Sequence, residues 1–197
     1  LYVSRTGWSG EFGYEIYLRN AAQGEALFEA LMEAGRSSGV APGAVNQARR
    51  IESGILSWGV DMTLAETPFE VGLGRLVELD DTPRFIGRGA LERLRGEPPG
   101  RKLVGLTVEG GPLHANEEPW PLRHGGVAVG KLTSLARSPR LERNIAIGIV
   151  AVDAAQPGTV LDVTTWDGPR RATVCDLPFL PKRQQGDARA LFANTAA

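Results

Sequence analysis

A glycine-punctuated run of aromatic and acidic residues lies near the start of the chain: Ser4-Arg5-Thr6-Gly7-Trp8-Ser9-Gly10-Glu11-Phe12-Gly13-Tyr14-Glu15-Ile16-Tyr17. Strand-like segments over 1–5 and 14–18 flank its glycines, which is typical of a β-hairpin. We therefore predict two paired strands and a turn that displays Trp8. The chain opens at Leu1, already inside such a segment, and we expect that an N-terminal portion is missing.

The second strand of this hairpin places Glu15 near aromatic rings. Side chains alternate along a strand, so Glu15 and Tyr17 share one face, which lies toward a cleft or solvent if Tyr14 and Ile16 face a core. A pterin ring requires this combination, because its edge offers two parallel N–H donors and its face stacks on aromatic rings. Glu15 would accept the hydrogen bonds, and Trp8 or Tyr17 would supply the ring. A glutamate on a solvated strand face also fits the pattern, because most glutamates are exposed.

Helical spacing of apolar residues follows this hairpin. The pattern predicts helices over 24–34 and 44–58, a short strand over 76–79 and a short helix over 90–94. The proline- and glycine-rich segment 96–100 is typical of a linker.

Beyond the linker the periodicity changes to that of short strands separated by turns. The predicted strands lie at 102–109, 126–135, 145–152, 159–166 and 171–177. We therefore predict a separate all-β module in the second half of the chain.

Composition excludes several classes of function. The 22 basic residues nearly balance the 23 acidic ones without a dense basic run, so we expect no nucleic-acid partner. Cys175, His114 and His124 form no cluster with zinc spacing, so we expect no metal. We read the histidines as surface loop residues and Cys175 as a small buried apolar residue. No apolar run approaches the roughly 20 residues that span a bilayer, and we expect a cytoplasmic protein without a membrane partner.

The run from Ser4 to Tyr17 resembles the R-T-G-Y-T-G-E-x-G-x-E-I signature of the glycine-cleavage T-protein family. This resemblance implies that Glu15 binds the pterin of folate and that Trp8 lies near it. The Trp8-Ser9 pair and Tyr17 look more like the dimethylsulfoniopropionate demethylase branch, in which the tyrosine at this place lies at the active site.

A second stretch, from Pro42 to Thr63, resembles the family motif A-R-D-x-L-R-L-E-A-G-L-x-L-Y-G-x-D. Asn46 replaces its first arginine, a folate contact, whereas Arg50 and Glu52 match the later R-x-E. Exchanging a guanidinium for a neutral amide should alter anion recognition, which is compatible with a changed substrate. Arg50 is therefore a candidate folate-binding residue. A structural ion pair or helix-surface charges would explain Arg50 and Glu52 equally well.

Four further segments resemble family motifs and occur in the family's order. They are Thr67–Gly74 (T-P-x-E-x-G-L), Val129–Ser134 (V-G-x-V-T-S), Asn144–Val150 (N-I-A-L-G-Y-V) and Leu177–Phe179 (x-P-F). The glycines of the first segment would either admit a ligand or serve turn geometry.

The resemblance implies an α+β fold in two parts. Residues 1–95 would be the C-terminal part of the folate-binding aminomethyltransferase-like domain, with an incomplete α/β portion, and residues 101–185 a small antiparallel β-barrel domain. The implied activity is tetrahydrofolate-dependent one-carbon transfer, with tetrahydrofolate as cofactor and dimethylsulfoniopropionate as methyl donor. The family's catalytic carboxylate would precede Leu1, so no catalytic residue is assigned, and we expect the chain alone to be inactive.

Three alternatives stay open. One is aminomethyl transfer, as in the glycine cleavage system or in the folate domain of dimethylglycine and sarcosine dehydrogenases. Another is O-demethylation of aromatic methyl ethers. A non-catalytic folate-binding regulatory or repair protein is the third.

Overall fold

The computed structural model describes residues 1–44, 46–80 and 83–180, and these residues form two compact units. The first unit comprises residues up to 46, and the second extends from 47 through the rest of the described chain. The last five residues of the predicted 101–185 module lie outside the described residues. No helix in the described part of the chain is long and apolar enough to cross a membrane.

The first unit contains the predicted hairpin and helix. Strands β1 (Tyr2–Ser4) and β2 (Glu15–Tyr17) pair antiparallel, as the glycine-rich turn between them predicts. Helix α1 (Gly24–Gly35) agrees with the periodicity over 24–34, and a 3-10 turn over Arg36–Ser38 continues it. Both predictions are confirmed. The expected core face of β2 is not formed within this unit, because Tyr14 and Ile16 are exposed.

The second unit begins with helix α2 (Gln47–Glu52), which is much shorter than the predicted helix over 44–58. The chain leaves the helix at Gly54, whose φ of 66° is incompatible with a continuing right-handed helix. The amide of Ile55 then donates to the carbonyl of Arg50 at 2.8 Å and reverses the chain. The apolar spacing beyond Glu52 therefore belongs to a turn.

The segment between α2 and the barrel is mostly irregular. The strand predicted over 76–79 is wrong: a 3-10 turn over Gly74–Leu76 occupies its start, and Leu79 is buried as a single anchor while Leu76 stays exposed. Helix α3 (Arg88–Gly96) confirms the short helix predicted over 90–94 and extends it at both ends.

Six antiparallel strands then close into a barrel. They are β3 (Arg101–Val108), β4 (Trp120–His124), β5 (Val127–Ser138), β6 (Arg143–Ala151), β7 (Val160–Thr165) and β8 (Gly168–Cys175), with spatial order β3-β6-β5-β4-β7-β8. The five predicted strands are confirmed, and closure leaves no open sheet edge in the barrel. Strand β4 was not predicted, because Pro119 and Pro121 interrupt its pattern. His124 therefore lies in a strand, not in a loop, although it is exposed.

The barrel packs on both of its surfaces along β5 and β6. Interior residues such as Leu106, Leu122 and Leu132 form the main core. Ile145 and Ile147 of β6 point outward, where Ala48 and Ile51 of α2 cover them in a second cluster. Burial on two faces explains why β6 carries an almost unbroken apolar run.

Close approach of strands makes Gly130 of β5 a sensitive position. A Cβ atom there would lie 2.7 Å from the Cα of Val150 on β6, so the neighbouring backbone would have to move. We predict that Gly130→Ala lowers the free energy of unfolding by about 3 kcal/mol, as overpacking of a core does. Urea denaturation of the chain measures this change. Gly100→Ala is the matched control, because a Cβ at Gly100 meets nothing within 4 Å, and equal stability of the two variants would contradict the prediction.

Candidate functional site

The first candidate site is the face of the hairpin that carries Glu15. Ser4 lies directly opposite Glu15 in the strand register, and Tyr17 lies two residues further along β2 on the same face. The hydroxyl of Tyr17 donates to Oε2 of Glu15 at 3.2 Å, and the hydroxyl of Thr6 donates to the same oxygen. Two hydroxyl groups therefore orient the carboxylate. Among the described residues, none donates to the other oxygen, Oε1.

The turn of the hairpin is ordered by contacts on its aromatic residues. The Arg5 guanidinium lies 4.6 Å from the centroid of the Phe12 ring, a cation–π distance. The Phe12 and Tyr14 rings meet edge to face with centroids 5.5 Å apart. Trp8 lies in the same turn with 42% of its surface exposed. The predicted display of Trp8 by a turn is therefore confirmed.

Arg50 has a different environment, since it is only 3% exposed. Its Nη1 donates to Oδ2 of Asp61 at 2.7 Å and to the carbonyl of Ile55 at 3.1 Å. Its Nη2 donates to the hydroxyl of Ser134 at 2.7 Å, and its Nε donates to the side chain of Gln47. These are the contacts of a structural ion pair, one of the three roles that the sequence left open. Direct contact between Arg50 and folate stays a prediction.

Asp61 completes this network from the turn that follows α2. The amide of Ser57 donates to Oδ2 at 2.8 Å, while the hydroxyls of Thr133 and Ser134 each donate to Oδ1 at 2.6 Å. Successive strand residues normally point to opposite faces, but a bulge in β5 between Leu132 and Ser134 turns both hydroxyls toward one carboxylate. Asp61 therefore ties the turn after α2 to the barrel.

Glu52 makes a second buried link between α2 and the barrel. The hydroxyl of Ser138 donates to its Oε1 at 2.6 Å, and the same hydroxyl accepts from the amide of Leu141 at 3.0 Å. The Arg140 guanidinium lies 3.6 Å from its Oε2. Arg50 and Glu52 are therefore not helix-surface charges, because each is buried against a partner on another element.

A polar pocket opens beside this network. It has a volume of about 210 Å³, and its lining includes Gln47, Arg50, Asn116 and Ser134. Asn116 orders one wall, because its side-chain amide donates to the carbonyls of Glu118 at 2.9 Å and Thr133 at 3.0 Å. Arg50 and Ser134, the two buried side chains among these, bond to each other at 2.7 Å.

Two domain families match the chain: the GCVT N-terminal domain over residues 1–81, and the glycine cleavage T-protein C-terminal barrel domain over residues 101–180. The chain belongs to the glycine cleavage T-protein family. The predicted family is therefore confirmed.

This chain is similar to proteins of two kinds, a demethylase and aminomethyltransferases. The dimethylsulfoniopropionate demethylase DmdA of Ruegeria pomeroyi is 39% identical over 174 residues, which are 88% of this chain and 47% of that protein. An aminomethyltransferase of Symbiobacterium thermophilum is 38% identical over 183 residues, 91% of this chain and 48% of that protein. The chain thus spans about half the length of the curated relatives it matches.

A solved T-protein structure has the same fold. The crystal structure of the glycine cleavage system aminomethyltransferase T from Bartonella henselae superposes with a TM-score of 0.77 at 26% identity. The match covers 92% of this chain and 50% of that one. The predicted α+β class with a terminal antiparallel barrel is confirmed.

The T-P-x-E motif of the family has a structural role in this chain. Thr67 and Glu70 form reciprocal hydrogen bonds, with the Thr67 amide 2.8 Å from the Glu70 carboxylate. Arg101 of β3 donates to the same carboxylate at 2.9 Å. Burial alone would raise the pKa of Glu70, but the bonds from Thr67 and Arg101 outweigh it and hold this pKa below its usual value. Gly72 has a φ of 72°, so it serves turn geometry.

Cys175 has the properties of a structural thiol. Burial, and then the negative charge of Asp176, raise the pKa of its thiol to about 11. A thiol with this pKa stays protonated near neutral pH and is a poor nucleophile. Within residues 1–44, 46–80 and 83–180, no group of three histidine, cysteine or acidic side chains is arranged to hold a metal ion.

Sequence reasoning did not identify Asp61 and Ser134 as partners of Arg50, or Thr133 as a partner of Asp61. All three lie in stretches that resemble the family, but Asp61 and Thr133 are separated by more than seventy residues. No spacing rule joins such distant positions, and alternation along β5 predicts opposite directions for the two hydroxyls. The sequence features that could have indicated this network are a threonine–serine pair in a predicted barrel strand and a lone aspartate in a tight turn.

The buried ion pair predicts a large loss of stability when its charge is removed. Asp61→Asn removes the charge that Asp61 places beside the buried Arg50 guanidinium, and we expect the free energy of unfolding to fall by about 3 kcal/mol or more. The control is Asp162→Asn in the exposed pair with Arg171, which should cost less than about 1 kcal/mol. Urea denaturation of both variants measures the difference. A loss at Asp61 as small as that at Asp162 would exclude a structural role for the pair.

Proposed function

We propose that this chain is the folate-binding and barrel part of a tetrahydrofolate-dependent one-carbon transferase. The observation that carries the proposal is the oriented carboxylate of Glu15, exposed on one strand face beside Tyr17. The membership of this chain in the T-protein family supports the same activity. In this proposal residues 1–95 belong to the folate-binding domain and residues 101–185 to the barrel domain.

The residues of this face fit the pterin ring of tetrahydrofolate. A pterin edge carries an amino group and a neighbouring ring N–H, which form parallel hydrogen bonds to a carboxylate. Oε1 of Glu15 is the open acceptor, and the hydroxyls of Thr6 and Tyr17 hold the carboxylate through Oε2. The exposed rings of Trp8 and Tyr17 offer stacking surface for the pterin face.

The proposed reaction is transfer of a methyl group from a sulfonium donor to tetrahydrofolate. The methyl carbon forms a bond to N5 of the folate, its bond to sulfur breaks, sulfur keeps the electron pair as a thioether, and N5 loses its proton. A sulfonium is already a good leaving group, so holding the nucleophile in line with the methyl carbon is the main contribution of the protein. Aromatic rings beside the cation, with Trp8 and Tyr17 as candidates, would stabilise it.

Dimethylsulfoniopropionate is the donor we favour. Trp8 and Tyr17 resemble the demethylase form of the first family motif. In the second motif, Asn46 stands where the aminomethyltransferase form has an arginine. The demethylase DmdA of Ruegeria pomeroyi is also 39% identical to this chain. Aminomethyl transfer is the second candidate, because the aminomethyltransferase of Symbiobacterium thermophilum is 38% identical. A folate-binding protein without turnover is the third.

A donor comparison tests this proposal. A protein that contains this chain and spans the whole length of the relatives should form 5-methyltetrahydrofolate from tetrahydrofolate and dimethylsulfoniopropionate. Product is measured by chromatography, with an aminomethyl-loaded carrier and an aromatic methyl ether as the other donors. Faster turnover with either of these would contradict the assigned donor, and folate binding without any turnover would contradict the enzyme assignment.

The 197-residue chain is a further arm of this experiment. Because it spans about half the length of its relatives, we propose that turnover also requires residues that correspond to their other half. We expect no product from this chain alone. Turnover by the chain alone would show that its own residues are sufficient.

The role of Glu15 is tested by one substitution. Glu15→Gln replaces one carboxylate oxygen by a donor, which meets the pterin N–H groups unfavourably. Charge-assisted hydrogen bonds contribute about 1.5–3 kcal/mol each, so tetrahydrofolate should bind at least about tenfold more weakly. Titration calorimetry on the full-length protein measures the Kd. Glu11→Gln, in the turn four residues earlier, is the control and should bind normally, whereas an unchanged Kd for Glu15→Gln would remove Glu15 from the site.

A further inference from the structure

The register of the hairpin brings an unassigned aromatic residue onto the face of Glu15. Tyr2 of β1 lies directly opposite Tyr17 of β2, just as Ser4 lies opposite Glu15. Side chains at directly opposed positions of an antiparallel pair project to the same face, with Cβ atoms roughly 4.5–5.5 Å apart. Tyr2, Ser4, Glu15 and Tyr17 therefore share one face, and Val3 and Ile16 share the other.

Both phenol rings of this opposed pair are accessible. Tyr2 is 65% exposed and Tyr17 is 54% exposed. The Tyr17 ring is held near the carboxylate by its hydrogen bond to Glu15. Directly opposed residues of this size lie within reach of one another, so the two rings can offer stacking area to one ligand. The face thus combines a carboxylate at the turn end with two aromatic rings at the other end.

We propose that Tyr2 is a further binding residue for the pterin of tetrahydrofolate. The inference rests on the proposed function, because it uses the same hairpin face. Glu15 fixes the donor edge of the pterin, so the ring extends from the carboxylate over neighbouring positions of that face. Tyr17 is the nearest of these along β2, and Tyr2 widens the same aromatic surface across the ladder. Tyr2 contributes its ring and not its hydroxyl, because the pterin face offers stacking area and no donor.

The test uses the full-length protein and two substitutions at one position. Tyr2→Val removes the ring but keeps a residue with strong strand preference, so the hairpin register is retained. Tyr2→Phe keeps the ring and removes only the hydroxyl. We expect Tyr2→Val to weaken tetrahydrofolate binding by about tenfold, which is about 1.4 kcal/mol and within the range found for a base stacked on an aromatic side chain. Tyr2→Phe should bind within about twofold of the wild type, which is about 0.4 kcal/mol.

A position control and a fragment probe sharpen the result. Val3→Ala changes the adjacent residue of β1, which is also exposed but lies on the opposite face, and it should leave the Kd unchanged. 6-Methyltetrahydropterin, which lacks the aminobenzoylglutamate tail, should lose the same factor in affinity for Tyr2→Val as tetrahydrofolate does. Titration calorimetry under anaerobic conditions gives every Kd.

Several outcomes would overturn the inference. The first is a Kd for Tyr2→Val equal to that of Val3→Ala. The second is a loss of affinity in Tyr2→Phe as large as that in Tyr2→Val. The third is a loss of affinity in Tyr2→Val for tetrahydrofolate but not for the pterin fragment. Glu15→Gln is measured in parallel to separate this inference from the proposed function. If Glu15→Gln weakens binding and Tyr2→Val does not, only the role of Tyr2 fails. If neither variant changes the Kd, the pterin site itself is elsewhere.

Discussion

The buried ion pair between Arg50 and Asp61 is the constraint on which the second unit depends. A charge removed from water is tolerated only when its bonding groups are satisfied. Asp61 accepts from Arg50, from the amide of Ser57 and from the hydroxyls of Thr133 and Ser134. The helix, the turn after it and a barrel strand must therefore hold their positions together. The bulge in β5 is part of this arrangement, because without it the hydroxyls of Thr133 and Ser134 would point to opposite faces of the strand.

The same network explains why α2 is short. Arg50 is the fourth residue of a six-residue helix, and Asp61 reaches it only if the chain reverses soon after Glu52. A longer helix would carry the chain away from Arg50 at 1.5 Å per residue. Gly54 with its positive φ permits the reversal. A tertiary contact therefore outweighs the local periodicity that predicts a helix over 44–58.

The sequence predicted those parts of the fold that depend on local pattern. Alternation identified five of the six barrel strands, and helical spacing identified α1 and α3, because side-chain periodicity reports burial directly. It did not reveal β4, where prolines mask the alternation. It also did not reveal the contacts of Arg50 with Asp61 and Ser134, which come from the turn after α2 and from strand β5. For the candidate site, periodicity correctly put Glu15 and Tyr17 on one face. It could not pair Tyr2 with Tyr17, because strand register depends on the geometry of the turn.

Asp61, Glu52 and Glu15 differ in what surrounds their carboxylates. Asp61 and Glu52 are almost inaccessible, and the hydroxyls of Ser134 and Ser138 hold them against the barrel. Glu15 is exposed, and only two flexible hydroxyl groups hold it. Asp61 accepts hydrogen bonds from four donors, so it cannot accept new ones without breaking existing ones, which costs the desolvation of the partners left behind. Glu52 is kept from a ligand by its burial. Resemblance to a family motif thus identifies all of these positions as constrained, but accessibility separates the residue that can receive a ligand from the residues that hold the fold.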